Sequence, residues 1–297
     1  MNSTAAKASL RPHRMSWSTR TARWGSRGLR YLLMVVLAIP FIGPLWWMIT
    51  SSFKNTSEIF AFPPTLVPET WLWQNFVEVF KFQPFGRQFF NSVYIALAVT
   101  AGTVIISSLA GYSFARIRFP GNNLLFVLLL TSLMMPAEVT IVPNFQFMQY
   151  LKLTDTHVPL ILIPILTGNG VLATFMMRQY YLNLPREVEE SAMIDGLNRA
   201  GIFRYIALPM AKPAVASVAI LAFLFSWNLF LEPLIFIDTL ERFTVPVALR
   251  GFTDSYGYPM WDLQLAATTL SVLPVLLFYV LAQRQVVESL SFSGIKG

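Results

Sequence analysis

Six transmembrane helices and no β-sheet are what the residues of this chain call for, on three grounds. Of 297 residues, 55% are hydrophobic and only 12% charged, with a mean hydropathy of +0.55, whereas a soluble domain carries about a quarter charged residues. The charges bracket uncharged runs at 31–53, 88–115, 119–137, 158–177, 213–231 and 263–283. Each run is long enough, at about 1.5 Å per residue, to cross a hydrocarbon core of about 30 Å. Lysine and arginine are also unevenly divided between the two sides that such a chain would have.

Residues 1–30 hold Lys7, Arg11, Arg14, Arg20, Arg23, Arg27 and Arg30 without one acid, a bias that keeps a segment in the cytoplasm. An even number of spans puts the tail at 285–297 on that side too, with the loops carrying Arg116 and Arg118 and the segment 178–212. The opposite loops carry Glu58, Glu69, Glu78, Asp155, Asp238, Glu241, Asp254 and Asp262 against fewer bases. The net charge of +7 therefore reports topology, and no basic face interleaved with aromatics argues for nucleic acid. The first apolar run is too long for a signal peptide and no small-residue cleavage site follows it. Residues 1–30 read as a basic, disordered tail, its arginines a solvated orientation signal or a contact to anionic membrane lipid. Cysteine is absent, which excludes a disulfide framework and thiol chemistry.

Between 54 and 87, four prolines alternate with aromatic residues, a composition that keeps the backbone out of long regular structure and suits the membrane–water boundary. This loop is a membrane anchor or a docking surface. In the second run Ala96, Ala101, Gly102, Ser107, Ser108, Ala110 and Gly111 let neighbouring helices approach closely. The third is interrupted by Pro136, Glu138 and Pro143, and a broken helix at membrane depth is tolerated where it lines a cavity or is buried in protein. Glu138 lies at such a depth or near the outer interface; at depth a carboxylate is a functional candidate.

The segment 185–212 is polar and set between apolar runs. Pro185 suits a first helical turn, and Glu187, Glu189 and Glu190 follow where the helix dipole favours acids. The helix should run to about Asp195 and close at a left-handed Gly196. A second helix, roughly 198–207, should end ahead of Pro209. In the fifth run Asn228 and Glu232 are four apart and would share a helix face beside Trp227. An amide, a carboxylate and an indole together suit a hydroxylated ligand; interhelical hydrogen bonds that fix the bundle are the other reading.

The segment 185–213 resembles the EAA loop of the membrane subunits of bacterial ABC importers. The resemblance rests on Glu190-Ser191-Ala192, Asp195-Gly196, Phe203, Ile206, Leu208-Pro209 and Pro213. One departure is Ser191 in the second place of the Glu-Ala-Ala triplet, where a small side chain preserves the packing. Ser52-Phe53-Lys54, Asn91-Ser92, Trp227-Asn228, Pro233-Leu234 and the closing 293–297 are similar to the carbohydrate-importer permeases of the maltose type, so the likeness covers most of the chain from about residue 30.

It implies a type I ABC importer permease fold and ATPase-coupling roles for Glu190, Ser191, Ala192, Asp195, Gly196, Phe203, Leu208 and Pro209. Glu138, Trp227, Asn228 and Glu232 become candidates for the substrate path. The implied partners are a second permease in a heterodimer, two ATPase subunits carrying ATP and Mg, and an extracytoplasmic sugar-binding protein, in a bacterial inner membrane with both termini cytoplasmic. The chain itself has no phosphate-binding loop of the G-x-x-x-x-G-K-[ST] type and no H-E-x-x-H, so neither a cofactor nor a catalytic residue is expected in it. An ion-coupled secondary transporter using Glu138 and Glu232 is the alternative, though no inverted repeat supports it. A scaffold leaves those acids unexplained. Sugar and a non-sugar solute such as glycerol phosphate both remain open.

Overall fold

The structure, a computed structural model, describes residues 17–293. The described residues are helical apart from loops and one isolated bridge between Thr253 and Pro259. They fall into two compact units, residues 1–50 and 51–297.

The first unit is dominated by α1 (Trp17–Ser51), with Pro40 and Pro44 inside it. The helix takes up the second half of the arm that the composition marks as a disordered tail. The correction has a simple cause: no proline lies between Pro12 and Pro40, and arginine is a good helix former, so the helix of the apolar run propagates backwards. Residues 1–16 and 294–297, with most of the closing permease-like pattern, lie outside the described residues.

In the second unit the 54–87 loop is more regular than its prolines indicate, with α2 (Thr56–Ile59) and an amphipathic α3 (Gln74–Phe82). Val79 of α3 is fully buried, in a cluster with Phe85, Phe252 and Leu263. Phe53 sits within 5.0 Å, centre to centre, of the rings of Trp71, Trp73 and Phe76, and the Asn75 amide donates to the Ser52 and Lys54 carbonyls. Those bonds explain what the Ser52-Phe53-Lys54 pattern does.

The remaining elements are α4 (Phe85–Arg116), α5 (Asn122–Thr131), α6 (Ala137–Tyr150), α7 (Val158–Leu166), α8 (Gly168–Leu182), α9 (Arg186–Ile194), α10 (Arg199–Ile202), α11 (Leu208–Met210), α12 (Lys212–Trp227), α13 (Leu231–Phe236), α14 (Val245–Arg250) and α15 (Trp261–Ser293). Four helices are long and apolar enough to cross a membrane: Arg30–Ser51, Phe85–Arg116, Val158–Leu182 and Trp261–Leu281. Two further pairs qualify only as bent spans, Asn122–Met134 with Ala137–Tyr150 at 101° and Arg199–Met210 with Lys212–Trp227 at 76°. The described chain therefore has four to six spans, six only when each bent pair counts as one.

The expected interruption of the third run is present, at Met135–Pro136. The expected continuity of the fifth is not. α12 ends at Trp227, Asn228 caps it by donating its side-chain amide to Leu224 O at 2.7 Å, and α13 begins only at Leu231. Pro233 is responsible, because it offers no N–H to Leu229 O and its ring collides with that carbonyl in a straight helix. Asn228 and Glu232 therefore do not share one helix face.

α4 organises the bundle and packs along α8 and α12. Its Phe85, Ile95, Ala96 and Tyr112 each belong to a different buried cluster. From Thr103 to Gly111 the inward face is small and polar, with Thr103, Ser107, Ser108 and Gly111 buried, while Ile105, Ile106 and Leu109 are exposed. Such an inversion suits lipid, where small residues let helices approach and apolar side chains face acyl chains. At the Phe85 end, the Asn91 amide donates to Glu241 O and Phe243 O, and the Ser92 hydroxyl accepts from Val245 N. The Asn91-Ser92 pair thus pins the loop ahead of α14.

Candidate functional site

The polar segment folds at the Arg116 end of α4. Pro185 caps α9, which starts one residue later than the spacing predicts, at Arg186. It closes as expected: Gly196 has φ +88, its N–H bonds Met193 O at 3.1 Å and Leu197 N–H bonds Ala192 O at 3.0 Å, the two bonds of a Schellman closure. The Asn198 side chain accepts from Gly201 N at 2.8 Å and starts α10. The second helix does not stop ahead of Pro209. Phe203–Ala207 forms a π turn and α11 carries Pro209 inside it, since a widened turn accommodates the bond that proline cannot donate.

The hairpin has two contrasting faces. Glu189, Ala192, Ile202 and Ala207 are buried. Glu190, Ser191, Asp195, Gly196 and Pro209 are exposed, beside Ile194 and Tyr205, which are 87% and 68% exposed. Ser191 turns its hydroxyl back onto Glu187 O at 2.8 Å, so the departure from the triplet is absorbed within the helix. Phe203 packs its ring 5.2 Å from that of Tyr112, and Leu208 is half-buried.

The buried face is tied to the bundle by residues that the motif does not include. Glu189 faces Arg116 at 3.2 Å, both side chains less than a tenth exposed, and Arg116 also donates to Leu184 O at 2.5 Å. Tyr180 donates its hydroxyl to Met210 O at 3.0 Å. Glu189 stands in the sequence as one of three acids in a first turn, so periodicity alone does not single it out; the arginine that closes α4 is the only available hint.

A cavity of about 450 Å³ lies at the break between α5 and α6. Its polar lining comes from separate elements: Ser132, Thr140 and Asn144 from the broken third run, Thr167 and Asn169 from the α7–α8 junction, and Glu232 from α13, with Phe225 and Phe236 among the apolar walls. The break therefore does line a cavity, as the physics of buried backbone requires. Hydroxyls, amides and one carboxyl give both donors and acceptors, the set a hydroxylated solute needs. Of the four residues marked for a path, only Glu232 reaches this lining. Glu138 and Asn228 are exposed. Trp227 is 5% exposed and packs between Phe223, 5.9 Å away, and Phe89, 6.0 Å away, so within this chain it is core. Asn144 and Asn169 escape a sequence reading because nothing in the pattern shows that a bend brings them together.

Residues 104–291 match the family described as binding-protein-dependent transport system inner membrane component. The chain belongs to this family. It is 36% identical over 275 residues to the arabinooligosaccharides transport system permease protein AraQ of Halalkalibacterium halodurans, covering 91% of this chain and 97% of the relative. To the inner membrane ABC transporter permease protein YcjP of Escherichia coli it is 32% identical, covering 91% and 95%. To the sn-glycerol-3-phosphate transport system permease protein UgpE of Yersinia enterocolitica it is 31% identical, covering 88% and 94%. Its fold superposes with a TM-score of 0.75, at 20% identity and over 91% of this chain and 98% of the other, on a bacterial ABC transporter involved in the import of the acidic polysaccharide alginate. The chain is thus a multi-pass permease subunit of an ABC solute importer, and the ion-coupled and scaffold readings fall away. The maltose type is not singled out among carbohydrate-related relatives.

Proposed function

We propose that this permease forms half of the translocation path of an ATP-driven importer for a carbohydrate, which it takes from an extracytoplasmic binding protein. It pairs with a second, different permease, and two ATPase subunits carrying ATP and Mg drive it through the 185–212 hairpin. The observation that carries the coupling role is the exposed ridge of Glu190, Asp195, Ile194 and Tyr205 on a hairpin whose other face is locked into the bundle. An exposed apolar patch rimmed by acids is what a docking surface offers, and the lock passes a push at the ridge to α4. Closing and opening of the ATPase pair then shift the bundle between outward-facing and inward-facing states, because ATP stabilises one ATPase arrangement over the other.

Solute passes along the cavity at the α5–α6 break, with Glu232, Asn144 and Asn169 as its polar contacts. Glu138 and Asn228, exposed on the single chain, belong to the face where the second permease completes the path. The test is purification of the tagged chain from native membranes. Co-isolation of a second permease and an ATPase chain in a 1:1:2 ratio, about what a closed two-fold assembly requires, is the expected result; a permease that purifies alone and still transports contradicts it. Uptake assays with a carbohydrate panel and with glycerol phosphate then separate the two solute classes.

A further inference from the structure

A second cavity, of about 580 Å³, opens beside the hairpin between the α4–α5 turn, the end of α8 and α9. Arg116, Arg118, Arg178, Arg186 and Arg199 line it against Glu189 and Glu190, a surplus of three positive charges in one concavity. Two of the arginines are engaged internally: Arg116 with Glu189, and Arg178 over the Phe126 ring at 4.0 Å. Arg118 and Arg186 are exposed and make no ion pair among the described residues. On the same wall the buried Oδ1 of Asn122 has no donor. Five arginines against two carboxylates ask for an anion.

The position decides which anion. α4, α5 and α8 have their ends at this cavity, at Arg116, Asn122 and Leu182. From there α5 presents Leu124, Leu125 and Leu128, each at least half exposed. A basic pocket at span ends, with an apolar strip leading away from it, matches a phospholipid from headgroup to tail; a soluble anion leaves the strip unused. We propose that this cavity binds the headgroup of an anionic glycerophospholipid, its phosphate on Arg118 and Arg186 and its acyl chains along α5, so that the lipid braces α9 against the membrane surface.

The test is lipid retention by the purified importer complex, which does not depend on transport. The complex is exchanged into mixed micelles holding equal phosphatidylglycerol and phosphatidylcholine, and co-purifying lipid is measured by native mass spectrometry. Phosphatidylglycerol should be retained preferentially, Arg118→Gln with Arg186→Gln should lower that preference by about thirtyfold, and the double Lys variant should keep most of it. Inorganic phosphate should not displace the lipid. Equal retention of the two lipids, an unchanged preference in the Gln variant, displacement by inorganic phosphate, or binding by the isolated permease that vanishes in the full complex would each overturn the assignment, the last by giving the cavity to a protein contact.

Discussion

Glu189 is the carboxylate by which the hairpin is ion-paired to the bundle. With Arg116 it forms an ion pair at 3.2 Å that is almost closed to solvent, and removing one member of such a pair leaves an uncompensated charge, at a cost of about 3–5 kcal/mol. Arg116→Ala should therefore loosen α9, seen as faster protease cleavage within 185–212 of the purified complex, whereas Glu190→Ala on the exposed side should not; equal cleavage of both variants would show that the pair does not hold the hairpin. At the far end of α4, Asp155 makes a different kind of latch. It accepts from the Thr239 hydroxyl at 2.6 Å, from Thr239 N and Asp238 N, and from Arg242 at 2.7 Å. These bonds, the Thr239 hydroxyl first, lower its pKa to about 2. A carboxyl with a folded pKa below its unfolded value stabilises fully above the latter, and loses that contribution as pH falls from about 4 towards 2. The melting temperature of Asp155→Asn should lie below that of the parent by a constant amount from pH 8 to about 5, and the gap should close only in strong acid. A gap that closes between pH 7 and 5 would show that the Asp155 carboxylate is not what holds the latch.

Among the elements, α4 sets the tolerances. A Cβ on Gly111 would come within 2.7 Å of the Met177 Cβ and 2.8 Å of the Arg178 backbone nitrogen, whereas one on Gly102 would meet mainly the flexible end of Ile165. Overpacking of this sort costs about 1–3 kcal/mol when the backbone must yield. Thermal unfolding of the complex should thus show a clear loss for Gly111→Ala and little for Gly102→Ala; the reverse order would mean that α4 and α8 do not pack as described. The small-residue stripe of this contact was legible in the sequence because it is local to one helix. The glycine closure at Gly196 and the break at Pro136 were legible for the same reason, each being set by one residue's backbone chemistry. The end of α12 was not, because the proline that causes it lies five residues after Asn228, beyond the apparent end of the apolar run. The cavity was hidden because Asn144, Asn169 and Glu232 meet only through a 101° bend, an angle no periodicity encodes.

Across the whole molecule, the proposed importer works by moving a push at the Arg116 end of α4 to a cavity beside the helix's middle, where Asn169 meets Thr103. In that proposal the hairpin's exposed ridge receives the push, the Glu189–Arg116 pair and the Phe203–Tyr112 contact pass it on, and the bundle answers at the α5–α6 break. Composition made the all-helical, multi-span membrane architecture legible. The transport role was legible through the resemblance of 185–213, since a docking surface cannot be recognised from apolar pattern alone. The central claim is that this hairpin couples ATP hydrolysis to transport. The most direct measurement is binding-protein-stimulated ATPase activity of the reconstituted complex carrying Gly196→Val or Glu190→Lys, with subunit ratio determined alongside. Valine at φ +88 adds roughly 1 kcal/mol or more of backbone strain to the closure, and lysine reverses a charge on the ridge. Both variants should insert normally and lose stimulation and uptake together; full stimulation with full uptake in both would contradict the account.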